Sequence, residues 1–405
     1  MIVTKNKLFQ NYFLINIIYI ALAGILFPYK SIISYIVGGG FAVLALMWNV
    51  IYVKNKSDYS TIYLYSLYVL FLLAFSSDFE YSLKIYLKVF TSIWLFPVSI
   101  YLIKDYNALN LFTKKTFPLV GIYLLNFILM NILGIGLKGY GDAVTTGNLF
   151  TEGLNTISYV IVLTPLIILF NKKRENNKYI FLTIVILLIT QIVTLKRISI
   201  VASTLGLLLY LIFSRDRAKY LVNIVIVMVF IAIAFPIFED VLEQQMINRD
   251  SQLVVGNLEQ EARYKEYLEV NRKIFSFNDI SISLFGEEVF NSQGIYGDNA
   301  IFGPDRQIHN DFSRILHDTG IIGFIFYFVL QIKILILFIS YFKKSYQYVD
   351  SKLLYTLRGV FLSVFILGFI FMFSGGIDGT LFQAYRYVLL GGIVGYFKNK
   401  QIENI

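Results

Sequence analysis

Gln307-Ile308-His309-Asn310-Asp311-Phe312-Ser313-Arg314-Ile315-Leu316-His317-Asp318-Thr319-Gly320-Ile321-Ile322-Gly323 joins a long polar segment to a long apolar one. Both histidines of the chain fall inside it. From Gly320 the residues stay apolar to about position 342, enough to cross a bilayer at roughly 20 residues per span. Toward the N-terminus the chain is polar back to about Glu239. A membrane helix that starts where a large polar loop ends sets the fold class, and the rest of the chain repeats the apolar half of the pattern.

The 405 residues are 57% hydrophobic and 15% charged, with a mean hydropathy of +0.67. An ordinary soluble domain carries about a quarter charged residues. Repeated apolar runs divided by short charged clusters specify an all-α polytopic membrane protein, and the alternation of a membrane β-barrel is missing. About twelve spans are expected at roughly 20 residues each. They fall near 8–28, 32–53, 60–77, 83–103, 117–136, 154–171, 179–195, 198–213, 220–238, 320–342, 355–374 and 384–397. The run from Leu8 to Phe27 is long enough to stay as a span, and no cleavable signal is expected. Three regions follow: spans one to nine over 1–238, a large loop over 239–319, and the remaining spans over 320–405. With no cysteine in the chain, no disulfide or thiolate site exists.

The formal charge of +9 does not mark a nucleic-acid partner, because the basic residues sit mostly in short loops. Lys5/Lys7, Lys54/Lys56, Lys104/Lys114/Lys115, Lys172/Lys173/Arg174/Lys178, Arg215/Arg217/Lys219, Lys343/Lys344/Lys352 and Lys398/Lys400 share one side. That side is expected to be cytoplasmic, with both termini on it. Opposite loops are short or acidic, as at Asp78/Glu80, Asp142/Glu152 and Gly375-Gly376-Ile377-Asp378-Gly379; Lys30 and Lys138 are exceptions. Trp48, Trp94 and the many tyrosines fit interfacial belts.

Parity places the loop 239–319 outside. Acidic residues there outnumber basic ones about two to one, and so long a loop is usually functional. An amphipathic helix is expected over 257–270, and irregular loop from Phe285-Gly286 to Phe302-Gly303-Pro304. Asp311 is expected to cap a short helix whose Phe312, Ile315 and Leu316 face the bilayer. Gly320 and Gly323 open the next span and permit close helix contact.

His309, beside Asn310 and Asp311, suits a general base; the plainer alternative is a histidine bonded to a backbone carbonyl. Arg197, in Thr194-Leu195-Lys196-Arg197-Ile198-Ser199, sits at an expected outer hairpin, where its planar fork suits phosphate. Alone, it reads equally as an arginine reaching into headgroups. Arg263 has the plain reading of a surface charge paired with Glu259 or Glu266, and Arg272 and Lys273 read the same way. Asp305, Asp311, Glu287 and Glu288 are further acidic candidates. His317 lies about two turns beyond His309. The two histidines lack a metal-ligand spacing.

Together these features resemble the O-antigen polymerase (Wzy type) and O-antigen ligase superfamily of bacterial surface polysaccharide assembly. The resemblance rests on His309-Asn310 followed by an apolar helix and Gly320-Ile321-Ile322-Gly323. Lys196-Arg197-Ile198-Ser199, Ala262-Arg263-Tyr264 and, loosely, Leu284-Phe285-Gly286 add to it; it covers roughly 180–340. It implies a GT-C-like membrane enzyme of the bacterial inner membrane. Such an enzyme moves a glycan from undecaprenyl diphosphate to an acceptor hydroxyl on the extracytoplasmic side, without metal or nucleotide sugar. It implies His309 as base and Arg197 and Arg263 as holders of the diphosphate. Asn310, Arg314 and Arg306 become substrate contacts. Implied partners are the lipid-linked oligosaccharide, membrane lipids, a chain-length regulator (polysaccharide co-polymerase) and a flippase. The Tyr-, Phe-, Ile-, Asn- and Lys-rich composition and the Lys at 196 favour a polymerase over a ligase acting on lipid A-core. A flippase is the alternative of a different class. It would carry charges or broken helices at mid-membrane in related halves, whereas charges inside spans are few, among them Lys84, Lys88, Lys333 and Arg386, and no repeat is visible.

Overall fold

The structure, a computed structural model, describes residues 9, 11, 30–54, 56–133, 152–171, 177–193, 197–213, 222, 262–292, 307–373, 375–377 and 379–402. Among them every regular element is helical. We number the helices α1 (Lys30–Tyr52), α2 (Ser60–Leu73), α3 (Phe79–Leu102), α4 (Tyr106–Leu133), α5 (Glu152–Phe170), α6 (Asn177–Val193) and α7 (Arg197–Phe213). The C-terminal part adds α8 (Ala262–Phe275), α9 (Ile280–Phe285), α10 (Asp311–Ser345), α11 (Ser351–Met372) and α12 (Thr380–Ile402). α3, α10 and α11 are long and apolar enough to cross a membrane. Helices occupy the segments read as spans, except that 8–28 and 220–238 lie outside the described residues apart from positions 9, 11 and 222.

Short polar side chains start the helices by accepting from otherwise orphaned N–H groups. Asp78 accepts from Tyr81 N at 3.0 Å and opens α3. Asp105 accepts from Ala108 N at 2.7 Å before α4. Asp350 accepts from Leu353 N at 3.2 Å and opens α11. The Asp105 contact explains why α4 begins at Tyr106 rather than near 117: its first turns already bury Ala108, Leu109 and Phe112. Lys114 and Lys115 therefore lie inside a helix, not in a loop.

α12 is the hub. Every residue from Phe382 to Phe397 is buried, and the helix packs on α3, α10, α11 and α5. Gly391 and Gly395 let the α3 backbone lie directly against it. A Cβ at Gly391 would stand 2.3 Å from Phe96 O, and one at Gly395 would stand 2.5 Å from Ile100 O. Small residues one turn apart are the usual device for such contact between apolar helices. Trp48 and Trp94 belong to this interior, at 5% and 6% exposure, and not to an interfacial belt; Asn49 Nδ2 donates to Trp94 O at 2.7 Å.

The two ends of the bundle differ in chemistry. At one end Asn399 Nδ2 donates to Lys104 O at 3.0 Å, and Ser345 Oγ donates to Phe397 O at 2.8 Å. Lys398 stands 3.8 Å from Asp58 there. Lysines of the expected cytoplasmic side thus gather together. At the other end the described part of the large loop folds back: Glu288 Oε2 accepts from Ser77 N and Ser77 Oγ, each at 2.8 Å.

α10 is broken at Gly320, whose φ of 62° and ψ of −170° divide a short helix from a long one. The long piece has 25 residues from Ile321 to Ser345, about 37 Å at 1.5 Å per residue, enough for a hydrocarbon core of about 30 Å. The break is where α9 docks. A Cβ at Gly320 would lie 2.4 Å from Leu284 C, and one at Gly286 (φ 82°) would lie 2.5 Å from His317 O. Gly323 also permits close contact, with Tyr68 and Thr319. The residues expected to face lipid do not: Ile315 and Leu316 are 1% and 5% exposed, and Phe312 stacks near Phe328 and Phe373. α8 and α9 cover this short helix and turn its apolar side inward.

Candidate functional site

The segment 307–310 carries no regular structure and is clamped from three directions. Ile308 N donates to Ser292 Oγ at 2.9 Å, and Gln307 Oε1 accepts from Ser292 N at 3.1 Å. His309 N donates to Glu266 Oε2 at 3.0 Å. On the third side Gly375, with φ 78°, presses on the His309 carbonyl so closely that a Cβ there would come within 2.1 Å of it. The backbone of His309 is therefore fixed, while its side chain stays 50% exposed.

Glu266 is the residue that sequence reasoning did not place here. It is fully buried, and Oε1 lies 3.5 Å from His309 Nδ1. A buried carboxylate beside a half-exposed imidazole orients the ring and leaves Nε2 as the atom to meet a ligand. At 3.5 Å this contact is longer than the hydrogen bond by which a triad carboxylate holds its histidine, so it acts through charge. The sequence held a signal for it. Glu266, Val270 and Ile274 fall on one ridge of α8, and all three have no exposure.

Asn310, not Asp311, caps α10. Its Oδ1 accepts from Phe312 N at 3.0 Å and from Ser313 N at 3.4 Å. That occupies the amide oxygen of a residue expected to contact substrate. We expect Asn310→Ala to lower stability by about 1 kcal/mol and Asn310→Asp to leave it nearly unchanged. Thermal unfolding of the detergent-solubilised protein, followed by circular dichroism, checks both. Asp311 is 1% exposed, and its Oδ1 accepts from Gly376 N at 3.0 Å.

Arg314 does not reach His309. It is 7% exposed, with Nε 3.6 Å from Asp318 Oδ2, and it stands over the Phe290 ring. His317 Nδ1 lies 2.9 Å from Asp318 Oδ1, so this trio is an internal cluster. The Arg314 side chain is held against Phe290 and Asp318. Glu287 pairs with Lys273, Glu288 anchors Ser77 and Arg272 pairs with Glu269 at 2.9 Å, so these charges are structural. Asp305 and Arg306 lie outside the described residues.

Arg197 is the first residue of α7 and Arg263 the second of α8; their side chains lie outside the described residues. Arg263 precedes Glu266 by three positions in the sequence. The hairpin that carries Arg197 is held by a buried polar ladder. Ser199 Oγ donates to Asn155 Oδ1 at 3.0 Å, Ser158 Oγ to Ser199 O at 3.1 Å, and Ser203 Oγ to Gln191 Oε1 at 2.8 Å. It ties α5, α6 and α7 together.

Beneath the His309 segment lies a second buried polar chain. Gln383 Nε2 donates to Gly376 O at 3.3 Å. The same side chain's Oε1 accepts from Arg386 Nη1 at 3.5 Å. Arg386 is fully buried, and its Nη2 donates to Gln331 Oε1 at 3.1 Å. Gln331 Nε2 donates to Tyr387 Oη at 3.0 Å. Hydrogen bonds thus run from the Asp311 carboxylate, through the Gly376 peptide, into the centre of α10, α11 and α12.

No family model matches the chain, and no curated protein matches it.

Proposed function

We propose that the chain is a membrane-integral glycosyltransferase. In this reading it is a polysaccharide repeat-unit polymerase that moves a glycan from undecaprenyl diphosphate onto the acceptor sugar of another lipid-linked repeat unit. The observation that carries the reading is the pairing of half-exposed His309 with buried Glu266, at the end of the bundle opposite the lysine-rich one. About twelve crossings in a GT-C-like arrangement would sit in the bacterial inner membrane. Lysines would lie on the cytoplasmic side, with both termini, and His309 at the outer surface.

The chemistry follows from the residues. The acceptor hydroxyl gives its proton to His309 Nε2 as its oxygen attacks the anomeric carbon. The bond from that carbon to the diphosphate oxygen breaks, and the electron pair leaves with the lipid diphosphate. Glu266 balances the charge that the imidazole takes up. Arg197 and Arg263 neutralise the departing diphosphate, a role that fixed guanidinium forks fill well. Neither metal nor nucleotide enters. A flippase and a chain-length regulator are the proposed partners.

The test is the purified protein in proteoliposomes with a labelled undecaprenyl-diphosphate repeat unit. The expected product is a ladder of longer lipid-linked glycans, formed equally in EDTA. Arg197→Lys should make little of it, because a point charge does not replace the bidentate fork. Transfer only to lipid A-core would assign a ligase. Label crossing the bilayer with no change of chain length would assign a transporter and overturn the enzyme reading.

A further inference from the structure

α8 divides into three arcs at about 100° per residue. Glu266, Val270 and Ile274 form the arc buried against the protein. Lys265, Glu269, Arg272 and Lys273 form the polar arc. Between the two lies a third arc with Tyr264, Tyr267, Leu268 and Phe275, which are 40%, 48%, 46% and 51% exposed; Asn271 falls among them, with its amide donating to Tyr267 O at 2.7 Å. The turn that follows continues it with Phe277 and Ile280, at 52% and 65%. The helix therefore carries more apolar surface than the protein covers. A contiguous exposed apolar face of this kind marks an interaction site.

The setting of α8 identifies what covers that face. Its buried arc rests with Ile308 and Leu316 in a small cluster that Ile321 and Phe324 of α10 pack against. Ile321 lies on one face of α10, and the same face continues as Ile325, Ile332, Ile336 and Ile339. These are 53%, 53%, 51% and 39% exposed. The helix is long and apolar enough to cross a membrane, and in such a crossing an exposed isoleucine stripe faces lipid. α8 thus lies across the outer end of a lipid-facing stripe, at the depth where hydrocarbon gives way to headgroups. Tyr, Phe and Leu on one arc with Lys and Arg on another is the composition of a helix that lies in that interface.

We propose that α8 and the turn to α9 form an interfacial paddle, with the Tyr264–Phe275 face sunk into the outer leaflet and the lysine–arginine arc toward headgroups and water. Glu266 and His309 are then held at headgroup level. The inference needs α10 to cross the bilayer and does not depend on glycan transfer.

The absence of cysteine permits a direct test. Single cysteines at Tyr267, Leu268 and Phe275, and at Lys265 and Arg272 for comparison, are labelled with an environment-sensitive fluorophore. The full chain is then reconstituted in phosphatidylethanolamine–phosphatidylglycerol vesicles. We expect labels at Tyr267, Leu268 and Phe275 to be quenched by lipids carrying a shallow nitroxide. Their iodide quenching constants should be several-fold smaller than those at Lys265 and Arg272. Equal iodide quenching at all five positions would overturn the proposal. So would shielding that grows with protein density and shows no nitroxide quenching, which would assign the face to a second copy. Tyr267, Leu268, Arg272 and Phe275 are exposed and Lys265 is half-buried, so the variants are expected to fold, and the readout is independent of transfer activity.

Discussion

His309→Ala is expected to reduce glycan transfer by about 10²–10⁴-fold, the usual contribution of a positioned general base, while the protein stays folded in the membrane. The folding half of this expectation is structural. The clamps on position 309 use its N–H to Glu266 and its carbonyl against Gly375, and both survive in alanine. The side chain itself is half exposed, so its removal leaves no cavity. Glu266→Gln separates orientation from charge. An amide oxygen still accepts the His309 N–H, but the negative charge is gone, so an intermediate loss of turnover with unchanged stability is expected. Arg197→Ala and Arg263→Ala should each lose about 10²–10³-fold, as removal of a transition-state charge contact does. Transfer rates in proteoliposomes, with thermal unfolding as the control, measure the whole series. Wild-type turnover in His309→Ala would remove the base from the mechanism, and normal product ladders in all the variants would remove the site.

Gly320→Ala is expected to cost about 3 kcal/mol or more. A φ of 62° with ψ of −170° belongs to a region that is essentially glycine's alone, and such strain costs of order 1–3 kcal/mol. The added Cβ would also lie 2.4 Å from the Leu284 carbonyl carbon, so α9 would have to lift off α10. Against a total stability of about 5–15 kcal/mol, most of the protein should be lost on detergent extraction. Gly286→Ala should behave alike, since its Cβ meets the backbone of residues 317–319 from the other side. Gly39→Ala, with nothing within 4 Å inside α1, is the control and should gain up to about 1 kcal/mol. Equal melting temperatures for Gly320→Ala and Gly39→Ala would mean that the break in α10 is not a feature of the folded protein.

The helices were legible because apolar runs near twenty residues admit few other readings, and three of the described ones are long and apolar enough to cross a membrane. Their ends were not, because short caps decide them: Asp105 draws α4 forward over Lys114 and Lys115, and charge density alone pointed the other way. The glycines at 320 and 323 read correctly as a site of close approach. α9 was invisible, being six residues long and apolar without period. Glu266 was legible as a partner for Arg263 and, through its spacing from Val270 and Ile274, as part of one ridge, because helical spacing finds neighbours on the same helix and not the loop that docks against it. Arg314 shows the reverse: nearness in sequence to His309 suggested a shared role, while the side chain is buried beside Asp318. Burial of the tryptophans was hidden for the same reason as the hub role of α12: composition reports how apolar a helix is, not whether lipid or protein surrounds it.

α12 has a bearing on how the protein is made. Arg386 stands in the second turn of α12, and a buried charge is costly unless hydrogen-bonding partners meet it. Arg386 finds its acceptors on Gln331 of α10 and Phe365 of α11, both synthesised before it. Order of synthesis therefore suits the fold: the ribosome delivers the acceptors before the guanidinium, so α12 docks onto a receptive surface already made.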